Sequence, residues 1–250
     1  MNSTPFHLTG KTVLITGGSS GIGKQCAIDC SRMGASVIIT GRNEERLLQT
    51  LSLLSGVGHS NISCNLLFAN DLERLVNEMP LLDGIVHCAG IVKPFPISFL
   101  TEEKINETLS TNFNTVAGLT ASLFKAKKVN KGASIVFLSS ISGQHPHKGG
   151  SMYAASKAAI EAFSKTVALE YASKNIRANC ISPAMVKTPM FDDAVAGMST
   201  ASMDEHVGKY PLGVGYPEDI ANAVIFLLSS ASRWITGTNV VMDGGLLLDY

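Results

Sequence analysis

The chain has 250 residues, of which 45% are hydrophobic, so it can bury a large core and is too apolar to be disordered. Lysine and arginine number 20, and aspartate and glutamate also number 20. This zero net charge argues against a protein that binds nucleic acid or an anionic membrane through a basic surface. No apolar run reaches membrane-spanning length and the N-terminus does not resemble a signal peptide, so we expect a cytoplasmic protein.

Short apolar runs alternate with longer amphipathic segments along the chain. We predict strands at 12–16, 36–40, 61–66, 84–90, 133–140, 177–182 and 239–245, and helices at 21–33, 44–54, 71–78, 101–127, 151–172 and 217–229. This alternation indicates parallel strands buried on both faces and joined by right-handed crossovers. The sequence therefore predicts an α/β fold with a doubly wound parallel sheet of about seven strands in a single domain, 1–250.

A glycine-rich turn, in "VLITGGSSGIGKQ", lies between the first predicted strand and helix. Glycine permits a tight turn and a close approach of the backbone to a phosphate, and the helix N-terminus offers free N–H groups to a pyrophosphate. The pattern predicts a dinucleotide site, with a purely structural turn as the alternative. The candidate binding residues in this turn are Gly17, Ser19, Ser20, Gly21, Ile22 and Gly23.

The end of the second predicted strand bears on which form of the cofactor binds. An acidic residue there would hydrogen-bond the ribose hydroxyls of NAD(H). This chain has Gly41 at that position, followed by Arg42. A guanidinium can hold a 2′-phosphate through charge-assisted hydrogen bonds, so Arg42 favours NADP(H). The alternatives are an NAD(H) site and a solvated loop cation.

One predicted helix carries a phenol and an ammonium on the same face. Tyr153 and Lys157 are four residues apart, which places their Cβ atoms about 6 Å from each other. A nearby ammonium favours the phenolate and lowers the pKa of a phenol toward the range useful at neutral pH. Ser140 ends a predicted strand, where an open parallel sheet binds ligands. Together they suggest a carbonyl held by two hydroxyls, with Tyr153 as proton donor.

Several further stretches follow in a characteristic order: "TGGSSGIG", "HCAG", "STNFNT", "SSISG", "YAASK", "NCISPAMVKT", "YPEDIANAVIFLLSS" and "ITGTNVVMDGG". Through them the chain resembles the short-chain dehydrogenase/reductase family over nearly its whole length. The resemblance implies a Rossmann-type fold and hydride transfer between a nicotinamide and an alcohol or carbonyl. It also implies a cofactor half at about 1–145 and a catalytic and substrate half at about 146–250.

The resemblance assigns roles to four candidate catalytic residues. Asn112 supports a proton-relay water, and Ser140, which fits the spacing better than Ser139, orients the substrate oxygen. Tyr153 is the general acid/base. Lys157 binds the nicotinamide ribose and lowers the pKa of the tyrosine. By the same resemblance, further cofactor contacts come from Ala89, Gly90, Pro183, Val186 and Thr188, in addition to Tyr153 and Lys157.

Some residues depart from the family pattern or lie outside it. His87 and Cys88 stand where the family has two asparagines; we expect His87 to be structural and Cys88 to pack. His145 and His147 lack a third ligand, so we expect a solvated loop and no metal. The segment at about 189–215 is expected to cover the substrate, with Met190, Phe191, Met198 and Met203 either lining a pocket or packing elsewhere.

The sequence thus predicts an oxidoreductase with a small-molecule carbonyl or alcohol substrate. It resembles the 3-oxoacyl-acyl-carrier-protein reductases, with NADP(H) favoured. The alternatives are an NAD(H)-dependent alcohol or sugar dehydrogenase and a non-catalytic dinucleotide-binding sensor or scaffold. The resemblance implies a homotetramer or homodimer, and the apolar tail "GGLLLDY" is consistent with burial at an interface.

Overall fold

The computed structural model of the chain describes residues 4–195 and 205–249. Its strands are Thr12–Thr16 (β1), Ser36–Gly41 (β2), Ser60–Ser63 (β3), Leu82–His87 (β4), Val129–Leu138 (β5), Arg177–Pro183 (β6) and Asn239–Met242 (β7). All neighbouring strands pair in parallel, in the order β3-β2-β1-β4-β5-β6-β7. The predicted seven-stranded parallel sheet is therefore confirmed.

Helices connect the strands and cover both faces of the sheet. They are Gly21–Arg32 (α1), Glu44–Leu51 (α2), Ala69–Glu78 (α3), Glu102–Leu109 (α4), Thr115–Lys125 (α5), Ser151–Tyr171 (α6), Pro189–Val195 (α7) and Pro217–Leu228 (α8). Side chains cap the starts of three helices: Asn43 accepts from the amide of Arg46, Thr101 from that of Lys104, and Thr188 from that of Phe191. Among the helices in the described ranges, none is long and apolar enough to cross a membrane.

Two separate apolar cores lie on the two faces of the sheet. Side chains of a strand alternate between its faces, so Val13 and Ile15 of β1 join one core while Leu14 joins the other. The first core also contains residues of α1 and α8, and the second contains residues of α5 and α6. Burial on both faces explains why these strands are continuous apolar runs.

The helix predicted at 101–127 is not continuous. A π-helical turn, Ser110–Asn114, separates α4 from α5, and it contains the buried Asn112. Asn112 hydrogen-bonds the backbone of the distant Ile91 from this turn, and apolar periodicity does not show such a polar contact.

Several predicted strand ends also differ from the structure. β5 begins at Val129 rather than at 133, because Val129 pairs with Leu82 before an irregularity in the β4–β5 register. The strands predicted to end at 66, 90 and 245 end at Ser63, His87 and Met242. The residues lost from β4 and β7 form loops at the carboxyl edge of the sheet, where a site can be built.

The strand order changes direction beside β1. β2 and β3 lie on one side of β1, and β4 to β7 lie on the other. The connections that leave the carboxyl ends of β1 and β4 therefore run to opposite sides and leave a crevice between them. In open α/β sheets this switch point is where ligands bind.

Candidate active site

The glycine turn between β1 and α1 depends on missing side chains. Gly17 has φ +69°, and a Cβ there would lie 2.9 Å from the amide nitrogen of Ala89. A Cβ on Gly23 would lie 2.3 Å from the carbonyl oxygen of Gly17. Gly21 has φ +51°, which other residues adopt at a cost. The turn is thus as tight as the sequence predicts, with its backbone against the end of β4.

A hydroxyl that the sequence analysis did not identify links this turn to β4. Thr16, the last residue of β1, accepts hydrogen bonds at Oγ1 from the amides of Cys88 (3.1 Å) and Ala89 (3.2 Å). These two amides follow β4, so they have lost the ladder partners of the strand. Thr16 therefore links the end of β1 to the segment that follows β4, and these two chain ends form the floor of the crevice. The sequence signal that could have identified Thr16 is its position immediately before Gly17, the first glycine of the turn.

The other residues of the turn lie at the start of α1 and beside β2. Ser20 immediately precedes the helix, and Ile22 packs against the first core. The amides of a first helical turn have no partner within their helix and can bind an anion. Ser19 Oγ lies 3.3 Å from the position that a Cβ on Gly41 would take, and Arg42 is exposed after it. Ser19 and Arg42 thus border the same end of β2.

The segment after β6 closes the crevice from the other side. Val186 is buried and forms a parallel bridge with Gly215, beside a hydrogen bond from the amide of Lys187 to the carbonyl of Gly215 (2.9 Å). Thr188 accepts from the amide of Phe191 (3.2 Å), and its Cβ lies 3.4 Å from where a Cβ on Gly21 would be. Of the predicted contact residues, Thr188 therefore faces the glycine turn, while Val186 is buried beside Gly215.

Ser140 lies close enough to Tyr153 for its hydroxyl to lower the pKa of the phenol. Ser140 also accepts from the amide of Ser142 (3.1 Å), and its Oγ lies 3.4 Å from the carbonyl oxygen of Pro183. Ser140 is buried after β5 and Tyr153 is half-buried in the first turn of α6. The structure thus brings together the two hydroxyls that the sequence paired.

Lys157 is buried one turn after Tyr153. Its Nζ donates to the carbonyl oxygen of Leu138 (2.7 Å) and lies 5.6 Å from the centre of the Tyr153 ring. Burial lowers the pKa of Lys157 to about 8, although the thiols of Cys88 and Cys180 raise it slightly. With this pKa Lys157 is still mostly charged at neutral pH, so its charge can act on Tyr153 as well as on the carbonyl of Leu138.

The expected lowering of the Tyr153 pKa is not found. Burial raises the pKa of Tyr153 above its ordinary value, and the hydrogen bond with Ser140 lowers it by less. The desolvation cost of a buried phenolate outweighs that bond. Tyr153 is therefore protonated at neutral pH, which suits a proton donor better than a proton acceptor.

Asn112 occupies the π-helical turn with its side chain buried. Its amide makes a paired contact with the backbone of Ile91: Oδ1 accepts from the amide (2.8 Å) and Nδ2 donates to the carbonyl (2.9 Å). Nδ2 also donates to Ser156 Oγ (3.2 Å). A Cβ on Gly90 would lie 3.3 Å from Asn112 Oδ1 and 3.8 Å from Lys157 Nζ. Asn112, Gly90 and Lys157 are therefore close neighbours, and Ile91 and Ser156 are partners that sequence reasoning missed.

Ser139 and Ser140 have different surroundings. Ser139 Oγ lies 3.0 Å from both the carbonyl oxygen of Lys157 and Oε1 of Glu161, so it is directed at α6. Only Ser140 contacts Tyr153 in this pair. The contacts agree with the choice of Ser140 as the candidate that orients a substrate.

His87 and Cys88 lie under the site. His87 stacks on Phe137 with ring centres 5.0 Å apart, and its Nε2 is 3.0 Å from Thr120 Oγ1. Burial lowers the pKa of His87 to about 3, so the ring is neutral. Cys88 packs against the first core and takes a hydrogen bond from Cys26, which raises the pKa of Cys26. Both residues have the packing roles expected of them.

The segment expected to cover the substrate is described in part. It begins with α7, where Met190 is 44% exposed and Phe191 is half-buried. Met198 and Met203 lie outside the described residues. On the other side of the site, His145 and His147 lie on an exposed loop, as predicted.

Comparisons with known proteins agree with this geometry. A family model described as enoyl-(acyl carrier protein) reductase matches residues 17–247. The chain is 34% identical over 244 residues to the 3-oxoacyl-[acyl-carrier-protein] reductase FabG of Rickettsia felis, covering 97% of this chain and 99% of that protein. The chain belongs to the short-chain dehydrogenase/reductase family. It is accordingly an NAD(P)-dependent oxidoreductase that acts on carbonyl or alcohol groups.

Solved structures of short-chain dehydrogenases/reductases share the fold. One from Mycobacterium ulcerans superposes with a TM-score of 0.88 at 29% identity, covering 97% of this chain and 91% of that chain. A putative 2-deoxy-D-gluconate 3-dehydrogenase from Agrobacterium tumefaciens, solved with bound NADP, superposes with a TM-score of 0.88 at 25% identity and covers 98% of this chain and 100% of that chain. The glycine turn of the present chain fits a dinucleotide, because side chains at Gly17 and Gly23 would fill the space that lets the backbone close up.

The tightness of the glycine turn can be tested with Gly23→Ala. The added Cβ would overlap the carbonyl of Gly17, so the turn must open, and we expect the dissociation constant for NADPH to rise roughly tenfold or more. Fluorescence titration of NADPH measures it. Gly118→Ala is the matched control, because a Cβ there would meet only Leu72 Cδ2, at 3.9 Å. Unchanged affinity in a folded Gly23→Ala protein would contradict the expected role.

Burial of Lys157 predicts a pH dependence of stability. Because burial lowers its pKa to about 8, the folded state holds fewer protons on Lys157 than the unfolded chain between pH 8 and the ordinary lysine pKa near 10.5. The free energy of unfolding of the wild type, relative to Lys157→Met, should therefore rise by about 3 kcal/mol as the pH increases through this window. Urea denaturation at several pH values measures the difference; a constant difference would show that Lys157 keeps its charge.

Proposed function

We propose that the protein is an NADPH-dependent ketoreductase. The observation that carries this proposal is the proximity of Ser140 and Tyr153 to each other beside the buried Lys157, at the carboxyl edge of the sheet. Two hydroxyls in this arrangement can bind the oxygen of one carbonyl group. Because the pKa of Tyr153 is raised, the phenol carries its proton at neutral pH and can release it to that oxygen.

Each residue of the site has a different role in the proposed reaction. A bound nicotinamide supplies a hydride to the carbonyl carbon. Ser140 and Tyr153 orient the carbonyl by hydrogen bonds, and Tyr153 gives its proton as negative charge develops on the oxygen. Lys157 lies close enough to Tyr153 for its charge to stabilise the phenolate that remains. Asn112 holds Ile91 and thereby the wall of the crevice next to Lys157.

The cofactor is held by the two sides of the crevice. The glycine turn and the start of α1 suit the pyrophosphate, Ala89 and Gly90 the adenosine side, and the segment from Pro183 through Val186 to Thr188 the carboxamide. Arg42 is exposed beside Ser19, where no acidic side chain competes at Gly41, and this arrangement supports a 2′-phosphate. The Agrobacterium tumefaciens structure was solved with bound NADP, which supports the same cofactor preference.

The substrate class is proposed from the relatives. The Rickettsia felis protein is named as a 3-oxoacyl-acyl-carrier-protein reductase, so a 3-oxoacyl thioester is the first candidate. A keto sugar or its alcohol is the second, because the Agrobacterium tumefaciens structure is named as a putative sugar-acid dehydrogenase. A sensor or scaffold without turnover is the third, and it would leave the Ser140–Tyr153 hydrogen bond without a chemical use.

The quaternary structure and location are also proposals. Trp234 and Leu248 are 90% and 83% exposed, and large apolar side chains at such exposure are consistent with a homotetramer or homodimer. The five cysteines are free, which is consistent with the reducing cytoplasm.

The proton donor can be tested with Tyr153→Phe, which removes one oxygen and keeps the ring. We expect kcat for reduction of 3-oxoacyl thioesters or keto sugars to fall about a thousandfold, while the dissociation constant for NADPH stays within about twofold. Tyr171→Phe is the matched control on the same helix, because the Tyr171 ring stacks on Phe124 at 3.7 Å and lies 5.2 Å from Lys174 Nζ, contacts that the loss of the hydroxyl leaves in place. Turnover like that of the wild type in Tyr153→Phe would remove the tyrosine from the mechanism.

The cofactor preference can be tested with Arg42→Ala. Loss of a charge-assisted bond to the 2′-phosphate should weaken NADPH binding by roughly 10- to 100-fold and leave NADH binding unchanged. Isothermal titration with both cofactors measures this. Arg46→Ala is the matched control, since Arg46 is also exposed and lies one turn further along in α2. Equal affinity of the wild type for NADPH and NADH would defeat the preference.

A further inference from the structure

Glu161 is a buried carboxylate that the proposed proton transfer does not use. It lies in α6 one turn after Lys157 and is 6% exposed. A buried carboxylate is stable only if it is well hydrogen-bonded or paired. Oε1 lies 3.0 Å from Ser139 Oγ and 3.2 Å from Ser182 Oγ, and Oε2 accepts from Gln144 Nε2 at 2.7 Å. We call Ser139, Gln144, Glu161 and Ser182 the Glu161 network.

The partners of Glu161 surround Ser140 along the backbone. Ser139 directly precedes Ser140. Ser182 directly precedes Pro183, whose carbonyl oxygen is 3.4 Å from Ser140 Oγ. Gln144 follows the short helical turn that begins after Ser140. One carboxylate therefore holds the chain before Ser140, the chain after it and the strand beside it.

The same carboxylate belongs to the helix that carries the proposed acid. Tyr153, Lys157 and Glu161 follow one another at intervals of four residues, so they lie along one face of α6. Glu161 thus connects the backbone around Ser140 with the helix of Tyr153. An error of a fraction of an ångström in such a pair of groups costs turnover more than it costs stability.

The turn after Ser140 is packed directly on Glu161. A Cβ on Gly143 would lie 2.9 Å from Glu161 Oε1 and 3.1 Å from the amide nitrogen of Ala158. No space is left between the turn and α6 at this point, so a shift of the Glu161 side chain must move the turn as well.

We propose that Glu161 is a positioning residue, whose carboxylate fixes the Ser140 hydroxyl relative to Tyr153 by holding two strand ends and one turn against α6. The inference rests on the proposed function, because it concerns the same pair of hydroxyls. Glu161 acts through Ser139, Gln144 and Ser182.

The first test is Glu161→Gln, which preserves the size of the side chain. The amide oxygen can still accept from the serines, but without the charge these bonds are weaker, and the Gln144 amide must rotate to present its oxygen to the new amide nitrogen. We expect kcat to fall about tenfold, with KM for NADPH within about twofold of the wild type. The double variant Glu161→Gln/Gln144→Glu places an acceptor opposite the new donor, and about half or more of the lost kcat should return.

Two controls separate positioning from a loss of stability. Glu170→Gln makes the same chemical change on the exposed surface of α6. Ser134→Ala removes a buried hydroxyl of β5 that donates to the carbonyl oxygen of Leu227 at 2.7 Å. Both should retain kcat, whatever their Tm. An unchanged kcat in Glu161→Gln, no recovery in the double variant, or an equal loss in Ser134→Ala would each overturn the proposal.

A second readout needs no substrate. The hydrogen bond with Ser140 lowers the pKa of Tyr153, so misplacement of Ser140 should make Tyr153 ionise at a higher pH in Glu161→Gln. Tyrosinate absorbance measures this, with the Tyr153→Phe protein subtracted and Lys157, the charged neighbour on α6, left intact. An unchanged titration overturns the inference. If the wild type reduces no carbonyl and oxidises no alcohol, the proposed function fails while this titration still decides the role of Glu161.

Discussion

One buried hydrogen bond, from Lys157 Nζ to the carbonyl oxygen of Leu138, ties α6 to the end of β5. Tyr153 lies one turn before this bond on the helix, and Ser140 lies two residues after it on the other segment. The hydroxyls of Ser140 and Tyr153 can meet only if this bond holds α6 and the end of β5 in the right relative position. Burial makes the bond strong, because an ammonium in a poorly solvated place gains more from a carbonyl than it would in water. The lowered pKa of Lys157 shows that the same burial also costs free energy.

The crevice is closed by polar contacts between segments that are distant in the chain. Thr16 binds the amides of Cys88 and Ala89, and Asn112 binds the backbone of Ile91 on the next stretch. Asn112 makes the second contact from within the π-helical turn. Backbone groups that leave a strand need new partners, and in this protein side chains provide them.

Sequence reasoning succeeded where the cause was local. The alternation of apolar runs identified the sheet, and the glycine spacing located a turn in which Gly17 and Gly23 permit close backbone contact. It failed where the cause was a distant partner. Thr16, Ser156 and Glu161 have ordinary sequence surroundings, and only the folded chain shows what they bind. The direction of the Tyr153 pKa could not be predicted either, because spacing shows the nearby ammonium but not the extent of burial.

The pairing of β1 with β4 has a consequence for synthesis of the protein on the ribosome. The hydrogen-bond partners of Thr16, the amides of Cys88 and Ala89, lie 72 and 73 residues further along the chain. The floor of the cofactor crevice therefore cannot form until residue 89 has emerged. The proposed acid and the loop that holds the carboxamide side emerge much later still. A nascent N-terminal half can therefore assemble β1, β2 and the glycine turn early, but the opposite side of the crevice, which includes Val186 and Thr188, forms only after β6 has joined the sheet.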